Sequence, residues 1–131
     1  MDGSCVLGLV CAKVKGIAVV DLADIRAVTE GLPRSYEVIV RDRIKFRVGQ
    51  IVYLAMSRDE RTMGIGFPKE EREAAIAAYP DKFLPPSKSD ERFRWIEVNL
   101  AALDETELRE LVLDAWRMCV PKKVAAAYLG E

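Results

Sequence analysis

The sequence predicts an α+β domain of two layers, an antiparallel sheet with helices packed on one of its faces. Four short β-like runs follow one another, and the connections between them are too short for parallel crossovers. Segments with helical periodicity surround them, in the order helix, four strands, helix, strand, helix, helix. The chain has 131 residues, half of them apolar, which suffices for one domain with its own core.

The first half begins with a helix over residues 21–30, in which Asp21 is a suitable N-cap and Gly31 a stop. Gly49-Gln50 predicts a tight turn, because glycine adopts positive φ at no steric cost. A meander of strands is expected on both sides of this turn. The predicted strands are 36–41, 44–48, 51–56 and 62–67.

The second half is expected to hold most of the helical layer. A helix over 68–79 opens with Pro68 and ends before Pro80, and a loop over 84–90 contains two prolines and two serines. A strand over 92–100 follows. Asp104 and Glu107 resemble a capping box for a long helix that reaches Cys119, and a final helix extends from Pro121 to residue 128.

A basic stripe is the most distinctive feature of the sequence. Residues 41–48 read RDRIKFRV, so cations alternate with apolar residues, and alternate side chains of a strand point to opposite faces. This stripe could follow a phosphate backbone, with Arg92 and Arg94 as neighbours on the sheet. It could equally be a solvated face, since lysine and arginine also protect edge strands from aggregation. The stripe consists of Arg41, Arg43, Lys45 and Arg47.

Three aromatic residues need separate interpretations. Trp116 falls on the apolar side of the long helix, with Leu108 and Val112, and is predicted to be core. Phe93 and Trp95 are predicted on the opposite face of their strand from Ile96. They could stack on nucleic-acid bases, or they could pack in a second core layer or a dimer interface.

Composition excludes several classes of chemistry. The chain has no histidine, which rules out Ser-His-Asp and Cys-His catalysis and histidine-containing zinc sites. Cys5, Cys11 and Cys119 are too few for a four-cysteine metal site and are interpreted as reduced thiols of a cytoplasmic protein. Twenty basic and 21 acidic residues give a net charge of −1, so any attraction for nucleic acid has to be local.

Residues 1–19 are predicted to be an extension outside the fold, which leaves 20–131 as the single domain. This first segment is rich in small and apolar residues and lacks helical periodicity. Its only charge before the apolar stretch is Asp2, whereas a secretory signal needs a positive start. The apolar run is also too short to span a bilayer, so no membrane partner is expected. An added edge strand or a membrane-surface segment is the alternative.

Four blocks of the chain resemble the MmcQ/YjbR family, small bacterial proteins grouped with the CyaY-like or frataxin-like folds. Together they cover nearly all of residues 21–128. In this chain the family hairpin has Gly49-Gln50 where Gly-Lys is frequent, which is one cation fewer. The blocks are IKFRVGQIVYL at 44–54, MGIGFPKEERE at 63–73, RWIEVNL at 94–100 and ELRELVLDAWRMCVPKK at 107–123.

The resemblance implies a CyaY/YjbR-like fold and, since the family is usually described as DNA-binding through a double wing of strands, a DNA-binding function. It implies no catalytic residues. Frataxin relatives bind iron on an acidic helix, and Asp21, Asp24 and Glu30 are the comparable residues here. Capping already explains Asp21, so no metal and no cofactor is expected.

The sequence therefore favours a non-enzymatic cytoplasmic protein that binds double-stranded DNA through the basic stripe, with low sequence specificity. The alternative is a protein–protein adaptor or a homodimer that uses the same sheet face around Phe93 and Trp95. An enzyme would instead need a deep pocket with converging polar groups.

We expect the first 19 residues to be dispensable for folding. A chain that begins at Val20 should unfold within a few degrees of the full-length protein, because its core contacts would be intact. Circular dichroism melting of both chains tests this. A loss of more than about 5 °C would mean that the segment packs as part of the domain.

Overall fold

The computed structural model of the protein describes residues 20–130, so the predicted extension over 1–19 lies outside the described residues. Six strands form one antiparallel sheet with the order β1-β2-β3-β4-β6-β5. The predicted meander and the α+β class are confirmed. The strands are β1 Ser35–Val40, β2 Arg43–Val48, β3 Ile51–Met56, β4 Thr62–Gly66, β5 Phe83–Leu84 and β6 Trp95–Asn99.

The helices begin where the sequence predicts. Asp21 and Asp104 each accept the backbone N–H three residues ahead, and the carboxylates of Asp24 and Glu107 return the bond in two complete capping boxes. A short 3₁₀ turn, Leu100–Ala102, connects the last strand to the long helix. The helices are α1 Leu22–Thr29, α2 Lys69–Ala78, α3 Glu105–Arg117 and α4 Lys122–Leu129.

All four helices contribute to one core on one face of the sheet. Ile25 of α1 and Ala125 of α4 are buried in it, and Ala75 and Ile76 of α2 pack against it partly buried. From the sheet, alternate strand residues enter the same cluster, as the two-residue period of a strand requires. These strand residues include Phe46, Leu54, Met63, Ile65, Ile96 and Val98.

The opposite surface of the sheet, the outer face, carries the basic residues of β2. Cross-strand pairing aligns Lys45 with Ala55, Ala55 with Gly64 and Gly64 with Glu97. Residues directly opposite each other in antiparallel strands lie on the same face, so this row crosses four strands. The two small residues at its centre leave a trough between Lys45 and Glu97.

Two predicted strand boundaries are wrong. Arg41 is not a strand residue: Arg41 and Asp42 form the two-residue β1–β2 turn, with φ of 53° and 67°. Positive φ at both positions is the backbone of the hairpin turn that suits the twist of paired strands. β6 begins at Trp95, so Arg92 and Arg94 precede the strand. The β2–β3 turn at Gly49-Gln50, with φ of 63° at Gly49, is as predicted.

A β-bulge separates the two halves of β3. Leu54 pairs with Phe46 but Val52 pairs with Arg47, so Tyr53 is the extra residue. Its side chain is fully buried, and its hydroxyl lies 2.5 Å from Ser35 Oγ. Pairing of β3 with β4 covers only Leu54 to Met56. The two strands therefore separate at the end of the sheet beyond the bulge.

Two further observations concern residues 20–130 only. No helix in this part of the chain is both long enough and apolar enough to cross a bilayer. No three histidine, cysteine or acidic side chains there are grouped so as to hold a metal ion. The carboxylates of Asp21 and Asp24 instead serve the start of α1.

Trp116 is the largest fully buried side chain, so its removal should be costly. Its Nε1 donates to the carbonyl oxygen of Pro33 at 2.9 Å, and its ring contacts the Tyr128 ring edge-on at 5.5 Å. We expect Trp116→Ala to lower the free energy of unfolding by about 3–5 kcal/mol. Urea denaturation measures this, and a loss below about 1 kcal/mol would contradict the packing described here.

Candidate nucleic-acid interface

A cleft of about 750 Å³ opens on the outer face beside the separation of β3 and β4. One wall is formed by β2 and the start of β3, and the other by the segment between β5 and β6. Ala115, near the end of α3, and Met118 and Cys119, just after that helix, also line it. Cavities of this size hold small molecules or single building blocks of polymers.

Three of the predicted basic residues meet at this cleft. Arg43 and Lys45 line it from β2, and Arg94 lines it from the chain just before β6. Arg43 is held in place, because its Nε donates to the carbonyl oxygen of Met56 at 2.9 Å. Arg94 is exposed, whereas Arg43 and Lys45 are half-buried. The cleft therefore has cations on two facing walls.

Trp95 lies in the cleft with its indole packed directly against Gly64. A Cβ on Gly64 would come within 2.4 Å of Trp95 Nε1 and 2.6 Å of Trp95 Cζ2, so any side chain there would displace the indole. The indole Nε1 donates to Glu97 Oε2 at 3.1 Å. Trp95 is half-buried and lines the cleft. Its orientation is set by the sheet itself.

Glu97 is the acidic group at one end of the row that crosses the outer face. Burial of its carboxylate raises the pKa of Glu97, and the Trp95 N–H and the Arg43 charge oppose that rise only in part. The carboxylate of Asp90, from the segment between β5 and β6, adds to the rise. The cleft is thus lined by two acidic residues, Asp90 and Glu97, and by three basic ones.

The segment between β5 and β6 is fixed by Arg72 of α2. Its Nη1 donates to the carbonyl oxygens of Phe93 and Trp95, and its Nη2 donates to that of Glu91, at 3.0–3.1 Å. Ser87 Oγ donates to the Asp90 carboxylate inside the same segment. This wall of the cleft is thus attached to a helix as well as to the sheet.

The part of the cleft that is lined by the end of α3 is apolar. A Cβ on Gly66 would lie 3.7 Å from both Ala115 Cβ and Met118 Sδ, so the strand passes close to α3 here. Burial raises the pKa of the Cys119 thiol, which keeps it protonated. This is the environment of an inert thiol, so this part of the cleft offers packing rather than chemistry.

The other predicted basic residues lie outside this cleft. Arg41 is exposed in the β1–β2 turn, and the Arg92 guanidinium lies 4.8 Å from the centre of the Phe93 ring. Arg47 sits beside the bulge, half-buried, and its Nε is buried without a hydrogen-bond partner among the described residues. Phe93 is 51% exposed at the cleft rim.

Several residues of the site were not predicted as such. Arg58 donates to the carbonyl oxygen of Arg41 at 3.4 Å and adds an exposed cation at that end of β2. Arg72 lies 21 residues from Phe93 in the chain, so no local pattern indicates the contact. Gly64 and Gly66 did carry a signal, since glycine inside a strand often marks a close approach.

Replacing the carboxyl group of Glu97 tests its burial. Because its folded-state pKa is above the ordinary value of 4.5, the folded state holds the proton more tightly than the unfolded state. Stability contributed by this group therefore falls as pH rises from 4.5 through the folded pKa. Glu97→Gln removes this titration, and its amide oxygen can still accept from Trp95.

We expect the Glu97→Gln variant to gain stability relative to the natural protein as pH rises from 4.5 to neutrality. Urea denaturation of both proteins over that range measures the difference. Two stability curves that run parallel would contradict the burial of this carboxylate.

Comparison with known proteins identifies the fold and the family. The YjbR family model matches residues 28–118 of the chain. Among solved structures, the Deinococcus radiodurans protein DR2400, assigned to the family DUF419, superposes with a TM-score of 0.69. It is 21% identical, over 88% of this chain and 91% of that one, and at this identity the match shows the fold alone.

No curated protein matches the sequence. The family match covers more than half of the chain and includes three of the four blocks quoted above in full and most of the fourth. The resemblance stated from those blocks is confirmed: this protein belongs to the YjbR family.

Proposed function

We propose that this protein is a non-enzymatic nucleic-acid-binding protein that holds the phosphate backbone of DNA against its outer face. The observation that carries this proposal is the convergence of cations from distant parts of the chain. Arg43 and Lys45 approach the cleft from one wall and Arg94 approaches it from the other. Cations spaced across one face suit a polyanion.

Further cations extend this surface beyond the cleft. Arg41 and Arg58 are exposed at one end of β2, and Arg92 is exposed on the segment before β6. Because the net charge of the chain is −1, this local concentration has to supply the attraction. Contacts to phosphate carry no sequence information, so we propose low specificity and micromolar or weaker affinity for double-stranded DNA.

A homodimer or protein–protein adaptor is the second candidate. The observation that favours it is exposed apolar surface, which includes Phe93 at the cleft rim and Ile39 on the edge strand β1, 51% and 70% exposed. Light scattering separates this candidate from the first. A concentration-dependent dimer that forms without nucleic acid would support it.

The salt dependence of binding tests the proposal directly. If Arg41, Arg43, Lys45 and Arg94 each neutralise one phosphate, the slope of log K against log salt should be about −0.9 × 4, or roughly −3.6. Raising salt from about 50 to 200 mM should then weaken binding to random duplex on the order of 10²-fold. Fluorescence anisotropy of a labelled duplex measures this. Folded protein that binds no duplex at low salt would refute the proposal.

Charge reversal tests which surface is used. Lys45→Glu with Arg94→Glu places two negative charges on facing walls of the cleft, and we expect at least a tenfold loss of duplex affinity. Arg43 is left intact because its bond to Met56 is structural. The matched control is Lys122→Glu with Lys123→Glu, two exposed cations that open α4.

The control pair should bind duplex as the natural protein does. It should also fold normally, since acidic residues suit a helix N-terminus. Thermal melting establishes that both pairs are folded. Equal affinity losses in the two pairs would mean that overall charge, and not the outer face, determines binding.

A further inference from the structure

The cleft contains more than a phosphate-binding surface requires. A duplex presents phosphates on a broad convex surface, for which exposed cations suffice. Here two of the three cations are half-buried, and a tryptophan lines the cleft with them. A recess that combines cations with an aromatic ring is complementary to a group that carries both an anion and a ring.

Trp95 differs from a tryptophan used for packing. Trp116 is fully buried and its Nε1–H is bound to Pro33, whereas Trp95 is half-buried and lines an open cleft. The Trp95 Nε1–H is already bound to Glu97, so the indole requires no hydrogen bond from a ligand. What it offers to the cleft is ring surface, which stacks on any nucleobase.

The ring is also held in place before any ligand arrives. Gly64 packs against one edge of the indole, and Glu97 accepts a hydrogen bond from its Nε1–H. Arg72 binds the backbone carbonyl of Trp95. Prior ordering lowers the entropic cost of binding. The three cations and two carboxylates of the cleft leave a net charge of 3 − 2 = +1, which favours a monoanionic or dianionic group.

We infer that this cleft binds one unpaired nucleotide, with the base stacked on Trp95 and the phosphate near Arg43, Lys45 and Arg94. This inference rests on the proposed function and deepens it, because it makes single-stranded DNA the preferred form over duplex. A free mononucleotide carries the same chemistry as an unpaired nucleotide within a strand. The test has to distinguish these two sources.

The two tryptophans make the test specific. Stacking should quench the fluorescence of Trp95, while Trp116 is shielded in the core and reports that the protein is folded. The probes are thymidine 5′-monophosphate, an oligothymidylate of about twelve nucleotides and a duplex of the same length. Labelled versions of the two DNA probes allow binding to be followed by anisotropy, independently of quenching.

We expect the oligothymidylate to bind at least about tenfold more tightly than the duplex and to quench the emission. Trp95→Leu should weaken oligothymidylate binding about tenfold, the effect of losing one stacked base, and should change duplex affinity less than about twofold. Trp95→Phe keeps a ring and should retain most of the affinity. Tyr79→Leu, which removes an exposed aromatic residue outside the cleft, should bind as the natural protein does.

The outcomes separate the inference from the function on which it rests. Duplex binding with no preference for the single strand and no effect of Trp95→Leu would overturn the inference and leave the proposed function standing. A mononucleotide that binds through Trp95 as tightly as the oligothymidylate would support the cleft as a nucleotide-binding site. It would contradict binding of a DNA strand, and with it the proposed function. No binding of any probe by folded protein would overturn both.

Discussion

The bulge at Tyr53 is the constraint on which the outer face depends. An extra residue in β3 turns the phenol into the core, where its hydroxyl needs a partner and finds Ser35. Burial raises the pKa of Tyr53 to about 12, so this buried pair remains neutral. Beyond the bulge β3 no longer pairs with β4, and the end of α3 lines the gap between them. The packing of Tyr53 and the opening of the cleft thus occur at the same point of the sheet, and Tyr53 itself lines the cleft.

The shape of the cleft follows from residue size in the row that crosses the sheet. Ala55 and Gly64, at the centre of the row, leave a depression, while Lys45 and Glu97 bound it. Part of this depression is filled by Trp95, which leans over Gly64 from the neighbouring position on β6. A side chain at position 64 would collide with the indole. The outer face is therefore recessed in the middle and charged at its margins.

Much of the fold could be predicted from the sequence, because its determinants are local. The alternation of β2, the caps of α1 and α3 and the position of Trp116 on an apolar helix face all follow from short patterns. The end of β1 could not be predicted in this way. Arg41 continues the alternation of the basic stripe, yet the pairing of Val40 with Arg43 leaves only two residues for the turn. Pairing between strands overrides the pattern within one strand.

The site itself was predictable only in part. The cations on β2 were identified from parity, but parity does not reveal that Arg43 is bound to Met56 or that the Nε of Arg47 is buried. Those facts depend on the partner strand and on the bulge. The sequence does not predict the two-residue strand β5, and its Leu84 falls in the predicted loop, because the strand is defined by pairing with β6 rather than by its own composition. Contacts between residues distant in sequence determine which of these cations are accessible to a ligand.

The same limit explains the contrast between the two tryptophans. Trp116 sits in a heptad-like apolar pattern, so its burial is encoded next to it in the chain. Trp95 is positioned by Gly64, Glu97 and Arg72, which come from three different elements. The N–H of Trp116 is bound as well, so what distinguishes Trp95 is that part of the residue stays accessible beside these contacts. The contacts around Trp95 favour a ring held ready for a partner, and they place it where the cations of two walls converge.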